Sequence, residues 1–371
     1  MRVRTARDRR DLRRFIDLPY RLHARDPLWV PPLRRDVEAL LSRSKNPFFE
    51  HAEAEYFVAE RGDEVVGRIA AISNRLHNET HNDRVGFFGF FECIDDQVVA
   101  DALFAAAGQW CGQHGHDVVR GPASFSVNDE CGLLVEGFDT PPVLMMPHNP
   151  PYYATLHDGY GLVKAKDLWV YESPATGHPE HIQRITRAVQ LAGKRRGITL
   201  RALDMTRFAA EVETLKGLYN AAWERNWGFV PMTDAEIEHL AKQLKPIVVP
   251  DLVCFAERNA EVIGFAVALP DLNQALSHNP SGRLFPGILR VLWHARKVSR
   301  LRILLLGVLN EYRGTGVDAV MYHWIWTKAV ARGYRWGEAG WILEDNWRMN
   351  NAVVRLGFRR YKTYRIYDKA L

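Results

Sequence analysis

Residues 302–324 read RILLLGVLNEYRGTGVDAVMYHW. The apolar run that ends at Leu309 predicts a buried strand, and the polar segment after it contains the glycine-rich turn Arg313-Gly314-Thr315-Gly316. A helical face follows, formed by Val317, Val320, Met321, Trp324 and Ile325. The stretch therefore predicts a strand, a glycine turn and a helix in direct succession.

The glycine turn has the composition of an anion-binding loop. Glycine tolerates positive φ and lets the backbone approach a ligand closely. The N–H groups at the start of the following helix point outward and hold an anion such as a pyrophosphate, while Arg313 adds a positive charge. Four such residues alone would suit a plain tight turn, but the strand–turn–helix context favours an anion site. The spacing fits neither the P-loop nor the dinucleotide pattern.

A repeat explains the length of 371 residues. Residues 59–67 read AERGDEVVG and residues 256–264 read AERNAEVIG, 197 positions apart, each within a predicted β-hairpin. Further matches follow in the same order in both halves: FFGFF (87–91) with LLGVL (305–309), Gly115 with Gly333, and Gly137-Phe138 with Gly357-Phe358. A hairpin followed by strand, helix and strand predicts a mixed α/β sheet in each half.

The second half contains an insertion within 270–302, because the offset between the halves rises from 197 to 218 there, which is 21 extra residues. It predicts an amphipathic helix with an apolar face of Leu284, Ile288, Val291, Leu292 and Ala295. Basic residues flank this face: Arg283, Arg290, Arg296, Lys297, Arg300 and Arg302. Such a helix packs on the domain core with solvated charges, or it lies on an anionic membrane or covers an apolar pocket. Both alternatives stay open.

The glycine turn resembles the phosphate loop of the GNAT superfamily, whose members transfer acyl groups from acyl-CoA to amines. The family pattern Gln/Arg-x-x-Gly-x-Gly/Ala follows a strand, and here Arg313, Gly316 and Asp318 occupy it. Asp318 departs from the usual Gly or Ala, so its carboxylate must point away from a pyrophosphate. Downstream, WILEDNWRMNNAVVRLGF (341–358) is similar to the family's Asn-containing helix that ends in Leu-Gly-Phe.

The resemblance implies an α/β protein with two GNAT-like units, each a mixed β-sheet flanked by helices, the first unit being degenerate. We place the units at 1–175 and 176–371, with the boundary in SPATGHPEH (173–181) and a helix over 182–194. In the first unit, Asp95 and Asp96 stand where Arg313 and Gly314 are expected to match, and two carboxylates there would repel a pyrophosphate or cap a helix.

The second unit is therefore expected to bind acetyl-CoA or a longer acyl-CoA as a substrate, with no metal. The contacts implied by the resemblance come from the strand end and the loop: Val308, Leu309, Arg313, Gly314, Thr315, Gly316, Val317 and Asp318. The cysteines and the HNETHN segment lack a complete metal-ligand spacing.

Acyl transfer requires a base, because an ammonium has no lone pair to attack a thioester. Glu338, on the short strand RWGEAGWIL (335–343), is the first candidate, since this position faces the cleft in the family, and Glu344 at the strand end is the second. Val353 stands where the family's acid tyrosine is expected, so either another group donates or the thiolate leaves unassisted. Tyr361, in a cluster with Tyr364 and Tyr367, is a candidate catalytic hydroxyl. The structural alternatives are a strand-edge carboxylate for Glu338, a helix cap for Glu344 and sheet packing for Tyr361.

The acceptor is either a small soluble amine or a lipid amine such as a sphingoid base, and the basic insertion leans towards the lipid. Candidate acceptor-binding residues are Asn149, Tyr152 and Tyr153 in PVLMMPHNPPYY (142–153), which would otherwise form a packed linker, and Asn346. A different class of function, a non-catalytic acyl-CoA-binding protein, is motivated by the altered positions Val353 and Asp318.

Composition argues against nucleic-acid-binding, membrane-spanning and secreted proteins. The net charge is +5 with a pI near 9.0, yet no RNP, zinc-finger or KH signature supports nucleic acid as a partner. No apolar run approaches the roughly 20 residues of a membrane span, and the segment MRVRTARDRRDLRRF is too charged for a signal peptide. We expect a cytoplasmic protein, peripheral to the inner face of the membrane if the insertion contacts anionic lipid.

Overall fold

The computed structural model describes residues 1–174, 187, 190–191, 193–194, 196–224 and 226–371. The boundary predicted in 173–181 and the helix predicted over 182–194 therefore lie mostly outside the described residues. In chain order the strands are β1 (Arg2–Thr5), β2 (Ala52–Arg61), β3 (Glu64–Asn74), β4 (Val85–Cys93), β5 (Val118–Gly121), β6 (Leu133–Glu136), β7 (Val163–Pro174), β8 (Ile198–Ala202), β9 (Val253–Arg258), β10 (Glu261–Pro270), β11 (Arg300–Val308), β12 (Trp336–Leu343) and β13 (Arg359–Ala370).

The α-helices of the described residues lie between these strands in the chain. They are α1 (Arg9–Leu22), α2 (Arg34–Leu40), α3 (Arg75–His81), α4 (Gln97–Gln113), α5 (Tyr152–Gly159), α6 (Phe208–Trp223), α7 (Asp234–Leu244), α8 (Asn273–Leu276), α9 (Gly287–Ala295), α10 (Val317–Ala331) and α11 (Trp347–Arg355). Short 3₁₀ turns cover Pro47–Glu50, Met205–Arg207, Pro250–Leu252 and Asn310–Tyr312. Among the helices described, none combines the length and apolarity that crossing a bilayer requires.

Two compact units divide the chain, and neither is one continuous segment. Unit 1 contains Met1–Leu168, Asn273–Arg296 and Lys362–Leu371, and unit 2 contains Trp169–Leu272 and Lys297–Tyr361. The chain thus passes from one unit to the other inside β7 and again inside β13. As a result, the last strand of each half of the chain completes the sheet of the unit formed mainly by the other half.

Unit 1 is built on a mixed sheet in the order β1-β2-β3-β4-β5-β13, with β6 paired to β13. The strands β4 and β5 run parallel, as a strand–helix–strand crossover through α4 requires. Leu103 and Phe104 of α4 are buried against the apolar side chains of this sheet. The C-terminal part of β13 pairs antiparallel with β5, Tyr367 lying opposite Gly121.

Unit 2 repeats this plan in the order β8-β9-β10-β11-β12-β7. The strands β11 and β12 run parallel, with Arg302 opposite Glu338. Their neighbours Leu301, Ile303 and Ala339 belong to the core that also contains Met321 and Ile325 of α10. Because side chains alternate along a strand, Arg302 and Glu338 lie on the other sheet face, the one on which Trp223 of α6 meets Phe265 and Gly307.

The strand registers show which residues of the two halves are equivalent. Gly67 lies opposite Cys93, and Gly264 lies opposite Val308, so Cys93 and Val308 occupy the same place. Gly89 lies opposite Ala70, and Leu305 lies opposite the equivalent Val267, so the predicted match of Gly89 with Gly307 is wrong by two residues. The offset between Cys93 and Val308 is 215 and not 218, so the inferred insertion is three residues shorter. The error has a simple cause, since an apolar run fits another apolar run at several alignments. Gly115 and Gly333, by contrast, both have positive φ, 79° and 86°.

The insertion packs on unit 1, although its position in the sequence had placed it in the second domain. Arg34 donates from its backbone N–H to the carbonyl of Gly282 (2.9 Å) and from its guanidinium to the carbonyl of Ser281 (2.8 Å). Gly282 has a φ of 61°, and a Cβ there would lie 2.4 Å from the ring of Tyr20, so a larger residue could not make this contact. Val291 of α9 is buried, as the apolar face predicted, whereas Leu292 is exposed.

Candidate functional site

The strands β11 and β12 separate after four paired residues. Their parallel register covers Arg300–Ile303 and Trp336–Ala339, while β11 continues along β10 to Val308. The register with β10 shifts at Leu304, and such a bulge bends the strand. In the described pairing, the edge of β11 beyond Ile303 is open towards β12, so its backbone groups are available to an extended ligand.

A cavity of about 590 Å³ opens at the carboxyl end of β11. This volume lies in the range of small-molecule sites. The cavity is lined by the end of α6, the end of β11, the glycine turn and the first turns of α11: Ala222, Trp223, Asn226, Leu306, Gly307, Val308, Tyr312, Arg313, Gly314, Asp318, Asn346, Trp347, Arg348, Met349, Asn351, Ala352 and Arg355. It brings together five residues predicted from the sequence, Val308, Arg313, Gly314, Asp318 and Asn346. Leu309, Thr315, Gly316 and Val317 do not line it.

The glycine turn has the backbone geometry that the sequence predicts. Gly314 and Gly316 have φ values of 73° and 89°, a region that side chains with a Cβ avoid. Gly316 is the N-cap of α10 and has no side chain to occupy the first N–H groups of that helix. The first backbone N–H groups of a helix have no acceptor within the helix, so those of α10 can donate to a ligand that binds at the glycine turn. A fully buried Val317 anchors the turn below.

Two arginines secure the turn. Arg313 donates to the carbonyl of Val308 (3.3 Å) and to that of Ala222, and so connects the end of α6 to the end of β11. Arg196, which the sequence had not singled out, donates to the carbonyl of Thr315. Asp318 lies in the first turn of α10, where a carboxylate favours the helix but repels an anion at the same N-terminus.

Asn346 and Asn350 organise the end of β12. Asn346 caps α11 by accepting from the N–H of Met349 (3.3 Å). Asn350 is buried, donates to the carbonyls of Leu343 (3.0 Å) and Glu344 (3.3 Å), and accepts from the hydroxyl of Tyr171 (3.0 Å). Its role could have been found in the sequence, because an asparagine on the apolar face of an amphipathic helix needs buried partners. The side chain of Glu344 is half-buried and does not line the cavity.

Glu338 and Tyr361 come together in the structure. Glu338 is fully buried, and the hydroxyl of Tyr361 donates to its Oε2. The guanidinium Nε of Arg302 lies 3.5 Å from Oε1 of the same carboxylate, and its Nη2 donates to the carbonyl of Gly340 (3.0 Å). Arg302 is thus buried in β11, which corrects its prediction as a residue flanking the insertion helix. Alternation along RLRILLL already separates Arg302 from its apolar neighbours.

Tyr361 is the least buried member of this group. Its side chain is half-buried and its ring meets that of Trp336 edge-on, with centroids 5.8 Å apart. Trp336 is itself fixed, because its indole N–H donates to Glu172 (2.8 Å). The position of the usual acid is filled by Val353, which is fully buried in the core and cannot donate a proton.

The residues predicted to bind the acceptor in the first half have internal partners. Asn149 accepts from the N–H of Leu134 (2.7 Å) and donates to its carbonyl (3.1 Å). The hydroxyl of Tyr152 donates to the carbonyl of Cys93 (2.7 Å), and that of Tyr153 donates to Glu92 (2.7 Å). These contacts position α5 within unit 1. The side-chain polar atoms of Asn149, Tyr152 and Tyr153 therefore have hydrogen-bond partners inside the protein and need no ligand.

A buried charged cluster lies beneath Tyr153 and was not foreseen. The carboxylate of Glu92 accepts from His23 (2.7 Å) and lies 3.5 Å from Arg68. Burial raises the pKa of Glu92, but the charges and hydrogen bonds of His23, Arg68 and Tyr153 outweigh it and leave the pKa lowered. Burial alone would lower the pKa of His23, and the Glu92 carboxylate raises it above its usual value.

Unit 1 has no counterpart of the glycine turn in its described residues. Three residues, Ile94–Asp96, connect β4 to α4, whereas Leu309–Gly316 connect β11 to α10. Asp96 caps α4 by accepting from the N–H of Val98 (2.9 Å), and a hydrogen bond from Arg61 lowers the pKa of its carboxyl. An acidic cap therefore stands where unit 2 presents helix N–H groups, in agreement with a degenerate first unit.

Comparison with known proteins adds relatives along the whole chain. It is 40% identical over 370 residues to the bacterial ceramide synthase of Caulobacter vibrioides, covering 97% of this chain and 95% of that protein. It is 37% identical over 379 residues to the protein YghO of Escherichia coli, covering 100% of this chain and 95% of the other. No family model matches the sequence.

The fold also has solved counterparts. A tandem GNAT protein from the clavulanic acid biosynthesis pathway, solved without acetyl-CoA, matches with a TM-score of 0.58 over 100% of this chain and 98% of its own. The two sequences are 12% identical, so the likeness concerns the fold. The expected fold, an α/β protein with two GNAT-like units, is thereby confirmed.

Proposed function

This chain belongs to the protein family that contains the bacterial ceramide synthase of Caulobacter vibrioides and YghO of Escherichia coli, and from that membership we propose that it is an N-acyltransferase. It moves an acyl group from acyl-CoA to the amine of a lipid of the sphingoid type. Ceramide is an N-acylated sphingoid base, so the name of one relative supports both the amide product and the lipid acceptor. The observation that carries the proposal on this chain is the cavity at the glycine turn of unit 2.

Acyl-CoA is proposed to bind along β11 with its pyrophosphate at the glycine turn. The first N–H groups of α10, behind Gly314 and Gly316, supply an anion site of the kind that helix N-termini offer. Arg196 adds positive charge beside Thr315. The open edge of β11 beyond Ile303 can pair with an amide-containing arm, which points the thioester into the gap between β11 and β12.

The reaction joins the amine nitrogen to the thioester carbonyl carbon and releases the thiolate of coenzyme A. Glu338 is too deeply buried to meet the amine itself, but Tyr361, whose hydroxyl is bound to it, is only half-buried. We assign to this pair the removal of the amine proton, through Tyr361 to Glu338, and its return to the departing thiolate. Counted from the neutral amine, one proton passes from nitrogen to sulfur and no other reactant is consumed; the extra proton of an ammonium form goes to solvent. A backbone N–H of the open β11 edge would stabilise the oxyanion.

Arg302 compensates the negative charge of Glu338. Burying a carboxylate without a partner costs free energy, and the positive guanidinium 3.5 Å from Glu338 offsets this cost for the ionised form. The carboxylate is then ready to accept a proton through Tyr361. Glu344 is the second proposed base, since it lies at the end of β12 close to the first turn of α11.

The test is turnover by the purified full-length protein. Palmitoyl-CoA and acetyl-CoA are offered in turn, each with sphinganine and with a short soluble amine, while free thiol and product mass are measured. We expect amide formation with palmitoyl-CoA and sphinganine at a rate at least tenfold above the other pairs. Transfer to the soluble amine alone would contradict the lipid acceptor, and binding of acyl-CoA with no turnover by any pair would contradict the enzyme.

A further inference from the structure

The insertion presents large apolar side chains to solvent. Phe285, just before α9, is 72% exposed, and Leu289 and Leu292 on α9 are 66% and 58% exposed. Leu289 and Leu292, with Trp293 (60% exposed), recur at the spacing that brings side chains onto one helical face. We call Phe285, Leu289, Leu292 and Trp293 the outer face of α9. Clusters of this kind on a protein surface mark sites of interaction.

The opposite face of α9 is already occupied. Val291 is buried, and Gly287 packs so closely on Asn279 that a Cβ would lie 2.3 Å from its Oδ1. Asn279 in turn donates to the carbonyl of Arg283 (2.9 Å). The helix cannot roll its outer face into the protein without breaking these contacts, so the exposure of that face belongs to the folded state of unit 1.

The charged side chains from residue 272 to residue 310, the part of the chain that contains α9, are all basic. No aspartate or glutamate occurs between Asp271 and Glu311, and Asp271 itself is buried. Arg283, Arg290 and Arg296 are all exposed. Arg296 follows Leu292 by one helical turn and so lies on the same side as the outer face. A cluster of apolar side chains with arginines at its edge is complementary to a partner that has an apolar interior and negative charges at its surface.

We propose that the outer face of α9 docks on the surface of an anionic phospholipid bilayer. A helix of nine residues is too short to cross the bilayer, but it can lie in the interface with its apolar side chains among the acyl chains. Arginines at its rim meet the anionic headgroups, and tryptophan is favoured at that depth. The inference rests on the proposed function for its purpose: a long-chain amine stays in the bilayer, so its acylation takes place at the membrane.

Vesicle co-sedimentation tests the proposal with the full chain. Vesicles of phosphatidylglycerol mixed with phosphatidylcholine should pellet the protein, and vesicles of phosphatidylcholine alone should do so far less. Leu289→Ser with Leu292→Ser should weaken binding by roughly tenfold or more, because two exposed leucines lose their burial in the acyl chains. Arg290→Gln should weaken it about fivefold, as expected for one basic residue near an anionic surface.

Val98→Ser is the matched control, because Val98 is 63% exposed at the start of α4, away from the insertion; it should bind like the parent. The melting temperature of each variant reports folding. Equal binding to both kinds of vesicle would overturn the proposal, and so would binding that survives the leucine substitutions. A smaller oligomer after those substitutions would also overturn it, because the outer face would then contact a second copy of this chain. Turnover of sphinganine supplied in neutral detergent micelles separates the two proposals: loss of vesicle binding leaves it unchanged, whereas its absence with vesicle binding intact would contradict only the enzyme.

Discussion

The hydroxyl of Tyr361 donates a hydrogen bond to the carboxylate of Glu338, and the two residues come from different strands, β13 and β12. Glu338 has no exposed surface, whereas Tyr361 is half-buried, so Tyr361 is the less buried end of the pair. Neither residue lines the cavity at the glycine turn. A buried carboxylate that lies 3.5 Å from the Arg302 guanidinium and accepts from a tyrosine hydroxyl suits proton transfer better than it suits direct contact with substrate. This relationship makes the proposed chemistry testable on single atoms.

Removing the Tyr361 hydroxyl should stop proton transfer and leave the ring in place. We expect Tyr361→Phe to lower kcat by about a hundredfold or more, within the range of general acid–base catalysis, with acyl-CoA affinity unchanged. Tyr364→Phe on the same strand is the control, because its hydroxyl bonds to the carbonyl of Pro147 and its loss should affect stability alone. Equal loss of kcat in both variants would show a structural effect. If Glu344→Gln abolishes turnover and Tyr361→Phe does not, the base is Glu344.

Positive φ at Gly316 should be needed for binding the anion. Gly316→Ala introduces about 1 kcal/mol of backbone strain at a φ of 89° and should move the first N–H groups of α10. We expect the Kd for coenzyme A, measured by calorimetry, to rise about tenfold. Gly62→Ala carries similar strain in the β2–β3 turn, where a Cβ would meet nothing within 4 Å. That variant should lose similar stability and keep its Kd, and a parallel rise in both would count against the site.

The negative charge of Asp318 should weaken the binding of coenzyme A at the glycine turn. Asp318→Asn removes a negative charge from the helix end that faces the cavity, so coenzyme A should bind several-fold more tightly, an effect of about 1 kcal/mol at low salt. The gain should shrink as salt rises. Glu311→Gln makes the same charge change on an exposed residue that does not line the cavity. A similar gain from Glu311→Gln would mean that net charge, and not the turn, controls affinity.

A buried histidine should make unit 1 sensitive to acid. Burial lowers the pKa of His157 from its usual 6.5 to about 4, although its N–H donates to the carbonyl of Tyr153 (2.7 Å). Between pH 6.5 and pH 4 the unfolded chain therefore binds a proton at His157 that the folded chain does not bind. The free energy of unfolding falls by about 1.4 kcal/mol per pH unit as the pH drops through this interval. Denaturant unfolding of the parent and of His157→Leu across this interval checks it. An unchanged slope in the variant would assign the acid sensitivity elsewhere.

What the sequence could predict was local. The strand, glycine turn and helix around Arg313 follow from neighbouring residues, and the structure has them where the pattern indicated. The hairpin ending at Gly67 and its partner ending at Gly264 are predictable for the same reason. Asn149 and Tyr153 were harder, because their partners Leu134 and Glu92 lie far away in the sequence, and nothing local distinguishes a ligand contact from an internal hydrogen bond.

The remaining features depend on which strands meet. The partnership of Arg302 with Glu338 requires the parallel register of β11 and β12, and a sequence pattern fixes no such register. The placement of the insertion on unit 1 depends on Arg34 and Gly282 meeting across some 250 residues of chain, a contact without a local signal. Both gaps concern non-local pairing, which composition and periodicity do not encode.

The exchange of strands between the halves has a consequence for biosynthesis. The edge of β5 that β13 covers is made early, and Lys362–Ala370 leave the ribosome only after every residue of unit 2 has been added. Until then, a nascent chain carries an open sheet edge, the kind of surface that recruits strands from other molecules. Translation order thus requires unit 2 to be made before the sheet of unit 1 can be completed.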